Sequence, residues 1–476
     1  MRRKKTIVSG IVPFLLSSLL VRVVVAQTPA ENRLTLPQAL ELARTNYPSL
    51  RGKLAELRAA EANVLGVRAA LRPQVGIQAQ ALNGTSNQVR GPYVSNGGLA
   101  LPISGSIKTN GFTNESVWTS GASVVMDWEA ITFGRQQARR QQARAAVEGA
   151  QADYEGELFT HQLRVCEAYL MALSASKTIS LQVANLQRAE ALQRVASSNA
   201  VAGLRSGIDS AVATAEVYRA RTQVLESQRA AQQQVIRLYE LIGQPQTTME
   251  LDTMGFYTRV PDFPANPVAV SGLHPQLRFF QKQIDLGETT ARLIKTAALP
   301  SVSLLGSLWG RGSGMKEQTA SDGSFQIDPS LAAGLPLRAF NYLVGVTAIW
   351  RPTDLFRTKY ALAAQNERIN VLRSTYEREN LTLQADVRNA RVQLELAQET
   401  ARQIPPQLAA ARLAFSQAQS RYEAGLDTIL TLTQVSALLS RSEADQALAI
   451  TNLWRALLVQ AATSGDLDRF IQNIPR

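Results

Sequence analysis

The chain has 476 residues, with 50 Lys and Arg against 38 Asp and Glu, for a formal net charge of +12. A single cysteine, Cys166, excludes an intrachain disulfide, and the two histidines, His161 and His274, lie far apart with no second ligand at metal spacing. The basic excess is spread along the chain as solvated helix faces, which argues against a nucleic-acid binder.

Met1-Arg2-Arg3-Lys4-Lys5 leads into an apolar run from about Ile7 to Leu20, and Val24-Val25-Ala26 places small residues ahead of Gln27. This reads as a signal peptide over residues 1–26, too short for a membrane span. Its removal lowers the net charge from +12 to +7, because it carries five basic and no acidic side chains. A helical segment near 35–72 follows. Val75 to Ala81 then alternates apolar and polar residues, and so does Trp118 to Trp128, across a long Gly/Ser/Asn-rich connection at about 83–116.

From Arg135 to about Ala200 the chain has no proline and is dense in Ala, Gln, Arg, Glu and Leu, all strong helix formers. Such a helix is roughly 100 Å long. Its small-residue faces suit packing against neighbouring helices, as in a coiled coil. A turn at Gly203 sends a return helix from Ser210 to Ile242, closed by Gly243 and Pro245.

After a linker over 243–267 the programme repeats. A helix near 275–299 precedes alternating runs that begin at Val302 and at Tyr342, on either side of a polar connection at about 310–340. A second long helix is expected from Thr358 to Tyr422, with Pro405-Pro406 expected to kink or break it. A return helix runs from about Ile429 to Ser464, ended by Gly465, and residues 466–476 form a tail.

The two halves, 27–242 and 268–465, are thus a duplication. Tyr47-Pro48-Ser49-Leu50 returns as His274-Pro275-Gln276-Leu277 at a shift of 227. Trp128 returns as Trp350, and Ala202-Gly203-Leu204 as Ala424-Gly425-Leu426, at a shift of 222. The fold class is mixed α and β. Each strand has roughly the nine to eleven residues that a tilted strand needs to cross a bilayer. Trp118, Trp128, Trp309, Tyr342 and Trp350 read as membrane-interface aromatics. Four strands cannot close a transmembrane barrel, and lipid tolerates no open sheet edge. Strands that enter a membrane therefore require oligomerisation, with about eight in a dimer or twelve in a trimer, between which the residues do not choose.

Leu34-Thr35-Leu36-Pro37-Gln38-Ala39-Leu40-Glu41-Leu42-Ala43 with Asn46-Tyr47-Pro48-Ser49-Leu50 resembles the first helix of the TolC-like outer membrane efflux family. Arg421-Tyr422-Glu423-Ala424-Gly425-Leu426 is similar to that family's signature at the periplasmic tip turn. The resemblance spans essentially the whole mature chain. It implies a homotrimer with a twelve-stranded barrel in outer membrane lipid, continued by a helical tunnel through the periplasm. It further implies a periplasmic adaptor and an inner-membrane transporter as partners. The turns at Gly203, Leu204, Gly425 and Leu426 become adaptor-docking tips. Asp209 matches an acidic position of the family's periplasmic entrance, whereas the comparable second-repeat positions, Thr431 and Gln434, are neutral and Asp427 lies one turn earlier. Asp209 at the start of a helix has capping as its alternative role.

An enzyme is disfavoured: there is no phosphate loop or zinc-type His pair, and no cofactor is implied. Gly310-Arg311-Gly312-Ser313-Gly314 reads as a surface loop. The remaining alternative is a periplasmic coiled-coil scaffold or adaptor with no channel of its own. The four separated strands distinguish the two.

Overall fold

The computed structural model describes residues 33–85, 87, 114–245, 250–251, 254–258, 274–319 and 325–474. The expected signal peptide and most of the 243–267 linker lie outside the described residues. The first half runs β1 (Arg33–Leu34), α1 (Leu36–Asn46), α2 (Pro48–Ala70), β2 (Gln74–Thr85), β3 (Ser116–Ile131), α3 (Arg135–Val201) and α4 (Gly207–Ile242). β4 (Glu250–Leu251) and α5 (Met254–Thr258) follow. The second half runs α6 (Pro275–Thr296), β5 (Ser301–Ser313), β6 (Met315–Thr319), β7 (Phe325–Ile327), α7 (Leu331–Gly334), β8 (Ala339–Ile349), α8 (Asp354–Glu423), α9 (Ile429–Ser464) and α10 (Asp468–Gln472).

α3 and α8 are the two long helices, of 67 and 70 residues. Of the expected kink or break at Pro405 and Pro406, the break does not occur, and α8 runs through both prolines. Each proline removes one backbone bond, to the carbonyl four residues earlier. Both rings are exposed, as is Arg402, so water reaches the freed groups on that side. Packing of Leu408 and Ala411 on Leu439 of α9 supports the continuous helix on the other.

The main core lies midway along the long helices α3 and α8, where α1, α5 and α10 pack with them and with the C-terminal ends of α4 and α9. Trp454 of α9 is buried there, its ring 5.2 Å from that of Phe256 and its Nε1 donating to the Phe256 carbonyl at 3.1 Å. Cys166 lies in the same core, and burial pushes its thiol up to about 12. Each repeat's proline-led helix docks on α3 at this level. Tyr47 stacks on His161 at 3.8 Å, and His274 meets Phe159 edge-on at 5.7 Å.

The four long strands form one antiparallel sheet in the order β2-β3-β5-β8. Pairing in register sets facing residues on the same side of a sheet. Ile77, Val124, Leu308 and Tyr342 form one rung, and Val75, Met126, Gly306 and Val344 another, so one face is apolar. Gln78, Ser123, Trp309 and Asn341 form a rung of the opposite, largely polar face. Trp309 therefore departs from the expected lipid-side girdle. Leu304 and Leu305 are both apolar, so the β5 pattern alone does not reveal which parity faces out. Trp118, Trp128 and Tyr342 do share the apolar side, and Trp350 stands just beyond β8.

Trp128 and Trp350 bind the chain in the same way. Trp128 Nε1 donates to the Leu71 carbonyl and Trp350 Nε1 to the Ala298 carbonyl, each at 3.2 Å. Both acceptors lie at the end of the helix that feeds the first strand of their repeat.

The stretch from Gly310 to Ser313 belongs to β5, which corrects its reading as a surface loop. The connection after it folds back over the sheet, with Ser120 Oγ donating to the Leu335 carbonyl at 2.9 Å. A Cβ at Gly312 would collide with the Pro336 carbonyl, and one at Gly334 with Trp118, so glycine permits this close approach. Among the described residues no helix is long and apolar enough to cross a membrane.

Candidate functional site at the helical tips

The far ends of the two helical hairpins meet at one place, and their backbones are built alike. α3 ends with Leu204 N–H bonded to the Asn199 carbonyl at 2.9 Å and Gly203 N–H to Ala200 at 3.1 Å. α8 ends with Leu426 N–H on Arg421 at 2.9 Å and Gly425 N–H on Tyr422 at 3.1 Å. This is the Schellman pattern, which needs a left-handed residue after the helix. Gly203 and Gly425 supply it, at φ 70° and 80°. Ser206 then caps α4 by accepting from Ile208 N–H, and Thr428 caps α9 by accepting from Thr431 N–H, each at 3.3 Å. Capping of α4 thus falls to Ser206, and Asp209 is left free for another contact.

That contact crosses between the repeats. Tyr422 is 1% exposed and inserts beneath both turns among Leu192, Ala196, Ala213, Ile429 and Leu432. Its hydroxyl donates to Asp209 Oδ2 at 3.4 Å. Burial first, and then the Asp209 carboxylate, push the Tyr422 hydroxyl up, so it remains a donor at neutral pH. Arg205, from the first turn, reaches the second: its Nη2 donates to the Tyr422 carbonyl at 3.3 Å and the Asp427 carbonyl at 3.0 Å. The same guanidinium lies 5.2 Å from the centre of the Tyr422 ring, within cation–π range. Asp427 receives Arg421 Nε at 3.3 Å and the Thr428 N–H at 2.8 Å. The Thr428 N–H, the Thr431 hydroxyl and Arg421 hold its carboxyl below the usual range.

Of the entrance candidates, the fold brings Asp209 and Asp427 into one network through Tyr422 and Arg205. Thr431 takes part in the Thr428 cap, with the two hydroxyls 3.1 Å apart, and Gln434 is exposed further along α9. Arg205 and Tyr422 were not singled out as site residues from the sequence. A signal was present, because Arg205 and Asp427 occupy equivalent positions at the 222-residue shift. The outermost surface is apolar: Val201, Leu204, Ile208, Leu426 and Leu430 are 91%, 74%, 70%, 69% and 60% exposed.

Two further ties join α3 to α9 above the tip. Arg188 Nη2 contacts Glu443 at 2.8 Å and Ser440 Oγ at 3.1 Å, and Arg455 contacts Glu167 at 2.7 Å. Around the first tie, and extending from it toward the tip, lies a cavity of about 250 Å³ bounded by α3, α4 and α9.

A sheet with one apolar face, continued by two helical hairpins tied together at their tips, is the layout of a membrane protein with a long helical extension. Residues 39–244 and 269–459 match the family described as outer membrane efflux protein, and the chain belongs to that family. It is an outer membrane efflux channel, and not an enzyme. It is 23% identical over 444 residues to the pyoverdine export outer membrane protein OpmQ of Pseudomonas aeruginosa, covering 93% of this chain and 87% of the relative. The solved outer-membrane channel OprN aligns with a TM-score of 0.67 at 21% identity, over 90% of this chain and 89% of its own. The Campylobacter jejuni CmeC outer membrane channel aligns at 0.71 and 13% identity, over 93% and 90%. At these identities both structures establish the fold alone.

Proposed function

We propose that three copies of this chain close a twelve-stranded barrel continued by a periplasmic tunnel, as the outer membrane component of a tripartite efflux or type I secretion system. The observation that carries this reading is the sheet's open edges. β2 and β8 each pair on one side only and are exposed along all or nearly all of their length, whereas β3 and β5 are each paired on both sides. Unpaired edge groups in lipid cost several kcal/mol each, so β8 of one copy pairs with β2 of the next. Residues 1–26 are removed on export, and the repeats at 27–242 and 268–465, joined by the 243–267 linker, supply two similar staves of the tunnel.

The exposed leucines of the tip turns, Leu204 and Leu426, dock a periplasmic adaptor, which connects the tunnel to an inner-membrane transporter. Asp209, Asp427, Thr431 and Gln434 line the entrance. The ties from Arg205 and Tyr422 hold the two hairpins of a protomer together in the closed state. Adaptor contacts made only when the hairpins part shift the population toward the open state. Passage is passive and involves no bond chemistry. The relative named for pyoverdine export supports small molecules as cargo.

Paired cysteines test the assembly. One is placed along β2, at Ile77 or Ala79, and one along β8, at Val344 or Val346. Oxidation of membranes carrying both is expected to give covalent trimers on a denaturing gel. A ladder that stops at monomer removes the shared barrel.

A further inference from the structure

Trp309 and Arg311 are the two side chains of β5 that the lipid-facing pattern leaves unexplained. They lie two positions apart on one strand and so point to one side. That side is opposite Ile77, Val124, Leu308 and Tyr342. Trp309 shares its rung with Gln78, Ser123 and Asn341, and Arg311 stands one rung nearer the loop end, opposite Gly121. The nearest carboxylate that the strands place on this face is Asp127, four residues along β3 from Ser123 and so about 13 Å away.

We propose that Trp309 and Arg311 form a luminal station for aromatic anions near the outer mouth of the channel. This rests on the closed-barrel reading above, in which the polar face lines the lumen. An indole and a guanidinium about 7 Å apart along a strand suit a solute with a flat ring and an attached carboxylate, sulfonate or phenolate. The ring of the solute packs on the indole, and its anionic group meets the guanidinium. The contact is shallow and one-sided, as an exit path requires, since a solute held tightly there would not leave. The positive charge at this level also favours anions generally over cations.

The test uses the full chain reconstituted in liposomes, with its oligomeric mass measured on the same sample. Intrinsic tryptophan fluorescence of the wild type minus that of Trp309→Phe isolates the Trp309 signal. Each ion's quenching is scaled to its quenching of free N-acetyltryptophanamide, and on that scale iodide is expected to exceed caesium about threefold. Arg311→Gln equalises the two ions and Arg311→Glu reverses them, which gives two variants should one fail to fold. Naphthalene-1-sulfonate is expected to quench the same signal at concentrations where methanesulfonate does not. Quenching by brominated acyl chains in place of iodide places the ring in lipid and overturns the proposal. Equal quenching by iodide and caesium in the wild type, or no response to naphthalene-1-sulfonate, overturns it equally. A chain that stays monomeric overturns the barrel, and the station with it.

Discussion

The two hairpin tips share a backbone but differ in side chains. Both end a long helix with the same two carbonyl bonds, both turn on a left-handed glycine, and both restart on a hydroxyl cap. Where the first copy has Ala200, Arg205 and Asp209, the second has Tyr422, Asp427 and Thr431. Each difference serves a contact to the other copy: Arg205 reaches across to two carbonyls of the second turn, and Tyr422 reaches back to Asp209. An exact duplicate would bring like groups together at this junction. The backbone devices of a duplicated unit can stay the same because each acts within its own hairpin, whereas the ties between hairpins require the copies to diverge.

The largest expected effect breaks that comparison at its centre. Tyr422→Ala removes the buried ring and its hydrogen bond, a loss of about 3 kcal/mol of local stability. Amide exchange over residues 192–214 and 418–432 should accelerate while the midway core around Trp454 stays protected. Arg205→Ala comes next, since it removes charged hydrogen bonds to two carbonyls, worth about 2 kcal/mol together. Both tips should then exchange faster, although only the first-repeat turn is mutated. Tyr422→Phe keeps the ring and loses only the bond to Asp209, about 1 kcal/mol. A double-mutant cycle of Tyr422→Phe with Asp209→Asn should be non-additive, because the two changes remove one interaction.

Acid sharpens a second contrast, between the tips and the middle of the helices. Burial pushes both His161 and His274 below their ordinary value of 6.5. The Nε2 of His274 donates to the Ala462 carbonyl at 3.1 Å while its Nδ1 accepts from Gln276 N–H at 3.3 Å, a role open only to the neutral ring. His161 donates from Nε2 to the Leu241 carbonyl at 2.9 Å, and its Nδ1 is buried without a partner among the described residues. The unfolded chain therefore takes up protons that the folded one resists. The stability these groups contribute is complete above 6.5 and is lost as pH falls through their lower folded values. The unfolding temperature should drop by a few degrees between about pH 7.5 and 5, and His274→Asn, which keeps a capping oxygen, should remove part of that drop. Asp427→Asn is expected to have the smallest effect, since an exposed ion pair to Arg421 contributes little.

The parts of this architecture that were legible in the sequence are those with a local cause. Gly203, Gly425, Gly243 and Gly465 mark helix ends because each needs positive φ, and all four have it. The return helix Ile429–Ser464 and the long helix starting at Arg135 lie where their residues indicate. Three features were not legible, for three physical reasons. Tyr422 and Asp209 meet across 213 residues, and no local pattern records such a contact. Trp309 sits in a strand where adjacent leucines blur the alternation, so its side of the sheet is fixed only by the register with β3 and β8. The local rule that two prolines break a helix is overridden in α8 by packing against α9.

The claim that one copy's turn holds the other is tested most directly by single-channel conductance in planar bilayers, comparing wild type with Arg205→Ala/Tyr422→Phe. Loss of both ties should raise conductance severalfold and leave the oligomeric mass unchanged. The same small conductance in both proteins, at equal mass, would contradict the account and place the closed constriction elsewhere in the channel.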